Sequence, residues 1–412
     1  MANAADTNQI KYNNPQYGAG GTQTNPSSVG KQIRLDVYEK QALIDIAKEQ
    51  YFSQLSGTMD MPKNMGKTIK KFHWIPLLDD ANVNDQGIDA NGVSYANGNL
   101  YGSSKDIGAI PGKMPTLTEV GGRVNRVGFT RKVLEGSLHK MGFFYEFTEE
   151  ALNFDTEAEL LGHLTREALR GANELTEDQL QLELINGAGV RTYTGAATSL
   201  ATMSAEGAAG TESVIKYADL QRLSVTLDEN RCPKSTKIIA GSRMVDTKTI
   251  ASARVLFIGS ELENQVRNMV DAFNNPAFVP VEKYADAGTL LNGEIGAVSQ
   301  FRIVVVPEMM HWEAVGAVAT AGKGLGKYRT GAGNKYNVYP AMVVGSEAFT
   351  QIGFQTGGSA KKWKITTKMP GADTADRNDP YGETGFSSIK WYYGTLLERP
   401  EWIAILHSLA VI

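Results

Sequence analysis

Gly66-Lys67-Thr68 is the first group of residues whose types and order could do chemistry. In a phosphate-binding loop such residues end the motif, where backbone amides, the lysine and the hydroxyl hold phosphate oxygens and a metal ion. The complete motif also needs a glycine five positions before Gly66, and Met61 stands there. We therefore interpret the three residues as a turn that opens a β-strand.

A second candidate for phosphate binding is the glycine-rich run Gly322-Lys-Gly-Leu-Gly326. Such a run is significant when it follows a strand and precedes a helix. Here more Gly, Thr and Asn follow, so the sequence predicts a flexible loop over 318–336. A nucleotide-binding enzyme is therefore the weakest of the functions considered, and nucleotide-dependent thermal stabilisation would support it.

Metal ligation has one candidate segment, Asp80-Ala-Asn82-Val-Asn84, which begins like a calcium-binding loop. The sixth position of that loop requires glycine but holds Asp85, and the twelfth requires glutamate but holds Asn91. The five histidines show no metal-ligand spacing: His73, His139, His163, His311 and His407. The sequence therefore predicts no metal site and no cofactor.

Nucleophilic catalysis has as little support. The chain contains no Gly-Xaa-Ser-Xaa-Gly elbow, and Cys232, which precedes Pro233, has no histidine nearby in the sequence. We interpret Cys232 as a packed thiol. As the single cysteine it excludes an intrachain disulfide, which fits a reducing cytoplasm. We predict no catalytic residue and no enzymatic activity.

A basic cluster is the remaining candidate, formed by Lys63, Lys67, Lys70 and Lys71. The simplest interpretation is a solvated charge run. The alternative is a set of salt bridges between subunits, in which these lysines meet an acidic surface such as Glu174, Glu177 and Asp178.

Composition limits the class of protein. The 412 residues carry a net charge of −4, and this weakly acidic balance argues against a nucleic-acid reader with a strongly basic face. No run approaches the roughly 18 apolar residues of a membrane span. The amino terminus lacks the basic and then apolar pattern of a secretion signal. We expect a protein made and used in soluble form, with no membrane partner.

The elements that must position these residues begin after an amino-terminal segment, 1–30, that is too poor in large aliphatic residues to form a core alone. A helical pattern covers 32–55. Strand patterns follow at 67–78, 124–134 and 138–148, and the irregular stretch 79–122 separates the first two. Two β arms around so long a tip predict an extended hairpin.

The clearest helix is predicted at 156–186. Thr156 and Glu159 form a capping box at its start, and Gly187 and Gly189 follow its end. Its apolar stripe contains Leu160, Leu161, Leu164, Ala168, Ala172, Leu175 and Leu182. A helix of this length suits a structural spine.

Helices and strands alternate after residue 190. The patterns predict helices at 216–230 and 243–254 and a short strand at 237–240. Further strands are predicted at 301–306, 338–344, 363–368, 389–397 and 402–407.

Three motifs carry a resemblance to a known family. They are Val133-Leu-Glu-Gly-Ser-Leu-His-Lys-Met-Gly-Phe-Phe-Tyr-Glu-Phe-Thr148, then Asn292-Gly-Glu-Ile-Gly296 with Phe301-Arg-Ile-Val-Val-Val-Pro-Glu308, and Asp379-Pro-Tyr-Gly-Glu-Thr-Gly385 with Lys390-Trp-Tyr-Tyr-Gly394. Together they resemble the major capsid proteins of short-tailed, podovirus-type bacteriophages. The resemblance implies an α+β chain with the shell fold common to tailed phages and herpesviruses.

The resemblance also implies a division of the chain. An N-terminal arm would cover 1–65, and an extended hairpin loop would cover 66–150, with its long tip at 79–122. The peripheral domain would take its spine helix from 151–190 and its return strands from 346–412. The axial domain would lie between them at 191–345.

The function implied is that of a major head protein that self-assembles, as pentamers and hexamers, into the icosahedral shell of a virion after synthesis in the host cytoplasm. Portal, scaffolding and cement proteins, and packaged DNA bound non-specifically, are the further partners implied. Some shells of this fold crosslink a lysine to an asparagine, and the hairpin contains both residue types. The alternative within the same fold is the shell of a cellular nanocompartment.

Overall fold

The computed structural model describes residues 16–17, 23–25, 51–61, 66–74, 131–154, 160–207, 211–239, 247–250, 253–283, 290–353, 363–372, 375, 377 and 379–412. The chain forms two compact units, Met1–Lys48 and Glu49–Ile412. In the first, strands β1 (Gln16–Tyr17) and β2 (Gln23–Asn25) pair antiparallel.

The second unit is an α+β structure. Its elements in chain order are β3 (Gly57–Asp60), β4 (Thr68–Trp74), β5 (Arg131–Ser137), β6 (His139–Thr148), α1 (Glu149–Phe154), α2 (Leu160–Gly187), β7 (Val190–Tyr193), α3 (Tyr217–Glu229), β8 (Thr236–Ile239), β9 (Thr247–Ile250), β10 (Arg254–Gly259), α4 (Ser260–Arg267), β11 (Phe278–Pro280), β12 (Glu294–Val298), β13 (Phe301–Val306), β14 (Val338–Val344), β15 (Phe349–Gly353), β16 (Lys364–Lys368), β17 (Thr384–Leu397) and β18 (Ile403–Leu409). Short 3-10 helices occur at Ser53–Leu55, Leu200–Thr202, Val281–Lys283, Ala332–Asn334 and Pro400–Trp402.

A seven-stranded sheet has the order β11-β12-β13-β10-β14-β18-β7. Its central strands β10, β14 and β18 are buried along their whole length, because both faces of the sheet are covered. Alternate residues of β10 show the two faces. Val255 and Phe257 lie in a core cluster with α2, and Leu256 and Ile258 lie in a second cluster with α3 and α4.

A second sheet has five strands, with the order β16-β17-β15-β3 and with β6 paired to β17 as well. The same cluster that joins α2 to the seven-stranded sheet contains Ile389, Trp391 and Tyr393 of β17. The helix α2 therefore belongs to the cores of both sheets. Its 28 residues span about 42 Å at about 1.5 Å per residue.

The predicted hairpin is present where the structure describes it. β4 and β5 pair antiparallel from Thr68 with Ser137 to Trp74 with Arg131. β5 continues into β6 through the buried Leu138, and β6 then pairs with β17. The predicted tip at 79–122 lies outside the described residues.

Most of the predicted elements are confirmed. They are α2, α3, β8, β13, β14, β16, β17 and β18; β17 begins five residues before its expected start, at Thr384, and the others agree more closely. The helix predicted at 243–254 is wrong, because β9 and the start of β10 occupy its described part. Of the helix predicted at 32–55, residues 32–50 are not described and Ser53–Leu55 form a 3-10 turn.

The buried face of α2 is only partly the predicted stripe. Ala168 and Ala172 are buried, but Leu175 is 50% exposed and Leu182 is 44% exposed. The expectation of burial for these two leucines was wrong because polar residues share the buried face. Thr176 donates to the Ala172 carbonyl, and Gln181 donates to Met309 Sδ, so both satisfy their polar groups there. The predicted capping box lies outside the described residues.

Two strands pair with strands from other segments of the predicted division. β3 comes from the segment assigned to the arm at 1–65, yet it pairs in parallel with β15. β18 comes from the segment assigned to the peripheral return strands at 346–412, yet it lies between β14 and β7 in the seven-stranded sheet. Among the described residues, no helix is long and apolar enough to cross a membrane.

Candidate functional sites

The glycine-rich loop at 318–336 is closed onto an acidic side chain. The Glu206 carboxylate accepts hydrogen bonds from the Thr320 backbone N–H and from the Tyr336 hydroxyl, the latter at 3.1 Å. Hydrogen bonds from Thr320 hold the pKa of Glu206 below its usual value. A Cβ on Gly324 would lie 1.5 Å from the Tyr336 hydroxyl oxygen, so glycine is needed there. The backbone N–H of Thr320, in the glycine-rich loop, therefore donates its hydrogen bond to the ionised carboxylate of Glu206.

The same loop holds the end of the chain. The Arg329 N–H donates to the Ala410 carbonyl at 3.1 Å, and the Ile412 N–H donates to the Lys327 carbonyl at 2.9 Å. The loop is therefore tied to residues that follow β18. The Ile412 side chain remains 74% exposed.

Gly66-Lys67-Thr68 forms the predicted turn into a strand. Gly66 has φ +82, in the left-handed region that favours glycine, and Thr68 begins β4. The calcium-like segment at 80–91 lies outside the described residues. No group of three potential metal ligands occurs in the part of the chain that the structure describes.

His407 is the most deeply buried histidine whose side chain is described. Its ring stacks on Tyr193 at 4.7 Å and packs against Trp312 at 5.0 Å. Its Nδ1 lies 3.0 Å from the Thr192 carbonyl oxygen, which fits a neutral ring that donates its proton there. Burial lowers the pKa of His407 to about 4. The residue serves packing inside the core.

The other titratable candidates lie apart. His139 is exposed beside Ser137, and His311 stacks on Tyr339 at 4.7 Å. The side chains of His73 and His163 are not described. Burial raises the pKa of the Cys232 thiol to about 11, so the sulfur is protonated at neutral pH and is a poor nucleophile.

The basic cluster forms ion pairs within the subunit. Lys70 pairs with Glu135 and Lys71 pairs with Glu398, each at 2.6 Å. Lys63 lies outside the described residues. The inclusion of Glu177 in an acidic surface was wrong, because that side chain is buried.

Glu177 instead binds backbone. Its Oε1 accepts hydrogen bonds from the N–H groups of Tyr51, Phe52 and Ser53 at 2.9, 2.5 and 3.2 Å. Burial raises the pKa of Glu177, although these hydrogen bonds act in the opposite direction. The Phe52 ring lies 4.6 Å from the Phe257 ring of β10. The carboxylate thus fixes the start of the second unit against α2. No sequence pattern marks such a contact.

A buried arginine fixes another junction. The Arg254 side chain is fully buried at the start of β10 and donates to Asp228 Oδ1 at 2.5 Å and to the Cys232 carbonyl at 2.7 Å. Asp228 belongs to α3. This charged group therefore joins α3 and the turn after it to the central strand, and its role is structural.

Two turns present aromatic side chains to solvent. In the motif Asp379-Pro-Tyr-Gly, the Asp379 carboxylate accepts hydrogen bonds from the N–H groups of Gly382, Glu383 and Thr384 and from the Thr384 hydroxyl. Hydrogen bonds from Thr384 lower the pKa of Asp379. Tyr381 is 84% exposed on this turn. In the second turn, Asp271 holds Phe273 in a similar way, and Phe273 is 85% exposed.

Apolar side chains are also exposed on strands and helices. On β6, Phe143 is 39% exposed and Phe144 is 64% exposed. On α2, Leu175 and Leu182 lie seven residues apart and so share one face, about two turns apart. Exposed apolar groups that form patches commonly mark contacts with other macromolecules.

Together the fold and these sites define an α+β subunit in which one helix packs on two sheets. Its buried polar groups hold segments of the chain together, and apolar side chains are exposed on its surface.

The sequence identifies the family. Residues 132–407 match the family described as phage capsid protein, so the chain belongs to that family. The major capsid protein of Pseudomonas phage KPP21 is 55% identical over 401 residues, which are 97% of each chain. The capsid of Ralstonia phage GP4 has the same fold at 13% identity, with a TM-score of 0.57 over 93% of this chain and 97% of that one. These findings confirm the resemblance to phage major capsid proteins and the α+β shell fold.

Proposed function

We propose that this chain is the major head protein of a phage and self-assembles into the icosahedral shell that encloses the genome. The observation that carries the proposal is 55% identity to a phage major capsid protein over 97% of both chains. An identity this high over nearly the whole length of both chains supports the same role for this chain.

The exposed apolar side chains support assembly. Leu175 and Leu182 on α2 and Phe144 on β6 are each more than 40% exposed, although a monomer gains nothing from their exposure. Copies that cover such groups would remove apolar area from water. Several weak contacts of this kind, made simultaneously around closed pentamers and hexamers, give a stable shell.

We propose a division of labour between the two sheets of the second unit. The five-stranded sheet with α2 and the β4–β5 hairpin would form the peripheral region. The seven-stranded sheet would form the axial region, where copies meet at the centres of pentamers and hexamers. Residues 1–48, the first unit, would belong to the arm that reaches a neighbour.

The remaining partners follow from this role. A portal protein, scaffolding protein and cement protein would bind the assembling or finished shell. Packaged DNA would be enclosed without specific recognition, and the net charge of −4 fits a wall that does not bind it tightly. Assembly would take place in the host cytoplasm.

We further propose that the chain has no enzymatic activity. The candidate groups are engaged in packing or hydrogen bonds, or they are in a protonation state that does not suit catalysis. Cys232 is protonated at neutral pH, His407 is enclosed by Tyr193 and Trp312, and the carboxylate of Glu206 would repel a phosphate at the glycine-rich loop.

Particle formation tests the proposal. The full chain is expressed alone and together with the neighbouring phage genes, and the products are examined by electron microscopy and analytical ultracentrifugation. We expect closed particles of uniform size. A chain that stays monomeric under both conditions contradicts the proposal. Particles that form only around an enzyme cargo, and never contain nuclease-protected DNA in infected cells, would instead indicate a nanocompartment shell.

A further inference from the structure

We propose that Phe273 is an anchor residue that inserts into an apolar site on a second copy of this chain. This inference rests on the proposed function, because it assumes that copies of the chain assemble. Phe273 is 85% exposed, which is unusual for a large apolar side chain whose backbone is firmly held.

The turn that carries Phe273 is fixed by one aspartate. Asp271 Oδ1 accepts hydrogen bonds from the N–H groups of Phe273 and Asn275, both at 2.8 Å. The Asp271 N–H donates to the Asn275 carbonyl at 2.9 Å, and the Asn274 N–H donates to the Asp271 carbonyl at 3.2 Å. Val270 and Pro276 form an antiparallel bridge across the base. A turn fixed in this way loses little conformational freedom when it binds.

Two smaller apolar side chains are exposed in the same part of the chain. Val270 is 48% exposed beside the turn, and Val279 is 42% exposed on β11, which is the end strand of the seven-stranded sheet. Phe273 is the most exposed large apolar side chain among the described residues. An aromatic side chain presented to solvent on a rigid turn is the kind of group that anchors a protein interface.

The edge is poorly suited to pairing with another strand. β11 has three residues, and its last residue, Pro280, has no N–H to donate to a neighbouring strand. The partner must therefore bind the side chains of this edge and not extend the sheet.

The charged groups of this turn and of the helix before it do not favour polyanionic partners. Arg267 is paired with Glu263 at 2.8 Å, and the Asp271 carboxylate lies within the turn itself. These three groups have a net negative charge, which opposes contact with nucleic acid or an anionic lipid surface. A protein surface remains, and in a shell of identical subunits a second copy is the protein that every subunit meets.

Variants of the turn test the anchor. Phe273→Ser should keep the melting temperature within about 2 °C, because an exposed side chain is replaced, and should lower particle yield at least tenfold. Phe273→Leu should restore most of the yield. Asp271→Ala should lower the yield while leaving Phe273 in place, and Asp271→Asn, which retains an acceptor oxygen, should restore it. The matched control is Asn274→Gly, which suits the left-handed φ of +64 and should assemble normally.

A photo-crosslinking residue at position 273 identifies the partner. In assembled particles, irradiation should join two copies of this chain, and mass spectrometry should place the second attachment within an apolar surface. If wild-type particles form and Phe273→Ser particles form at the same yield, the inference is overturned. Crosslinks only to a different protein also overturn it. If the wild type forms no particles at all, it is the proposed function that fails.

Discussion

The Glu177 carboxylate of α2 accepts a hydrogen bond from the Phe52 backbone N–H at 2.5 Å, across 125 positions of sequence. Tyr51 and Ser53 donate to the same oxygen, so a single side chain satisfies three neighbouring amides. Loss of that oxygen removes the acceptor used by the buried Phe52 amide and by its two part-buried neighbours, which is costly.

We predict that Glu177→Ala lowers the free energy of unfolding by about 3 kcal/mol or more, because it leaves these amide donors unpaired in a buried region. Urea denaturation monitored by circular dichroism measures the change. The matched control on the same helix is Glu167→Ala, where the carboxylate is 54% exposed and paired with Arg170. That control should change stability by less than about 0.5 kcal/mol. Equal effects of the two substitutions would contradict the role given to Glu177.

The raised pKa of Glu177 predicts a distinctive dependence on pH. In the folded state the Glu177 carboxyl keeps its proton to a higher pH than in the unfolded state, where its pKa is near 4.5. Protonation of Glu177 therefore favours folding at pH values between 4.5 and the raised pKa of the folded state. The wild type should therefore gain stability relative to Glu177→Gln as pH falls from neutral through this window. Stability curves of the two proteins that run parallel from pH 7 to pH 4.5 would show that the pKa is not raised.

His407 should contribute in the opposite direction. Its pKa falls from 6.5 to about 4 in the folded protein, so only the unfolded state binds the proton between these values. The contribution of the neutral His407 ring to the free energy of unfolding is fully present above pH 6.5. About 3 kcal/mol of that contribution is lost as the pH falls to 4. His407→Phe, which retains an aromatic ring between Tyr193 and Trp312, should remove this part of the acid dependence. Acid denaturation curves of both proteins measure it, and an unchanged acid slope in the variant would count against it.

The two faces of α2 should respond differently to the same substitution. Leu180→Asp places a charge in a fully buried position and should cost several kcal/mol, giving insoluble protein. Leu182→Asp changes a side chain that is 44% exposed, so the subunit should fold but assemble poorly. Soluble yield, circular dichroism and particle counts distinguish the outcomes. Normal folding of Leu180→Asp would mean that the buried face is misassigned.

Local patterns predicted the strands that are apolar throughout. β13 was predicted at its observed bounds because Phe301–Val306 is apolar at every position except Arg302. β10 has a similar core, Val255 to Ile258, yet it was not predicted. It begins with the charged Arg254, and burial of that charge depends on Asp228, which lies 26 positions earlier. A pattern of neighbouring residues does not contain that information.

The buried polar contacts were missed for the same reason. Glu177 stands between Thr176 and Asp178, and such a polar run normally indicates solvent. Its partners are backbone amides, which every residue possesses and which therefore leave no mark in the sequence. The motif Asp379-Pro-Tyr-Gly was recognised as a family signature, but the fixing of Tyr381 by the carboxylate became evident only from the fold.

Because α2 packs on both sheets, it makes the subunit stiff against bending between them. Bending between the sheets would have to strain the continuous hydrogen bonds of a 28-residue helix and shear the side chains packed on it. A loop connection would allow such a hinge freely. In the proposed shell, outward pressure from a packed genome would place this stiff subunit under tension. The differences in curvature between fivefold and sixfold positions would then be absorbed at the contacts between copies.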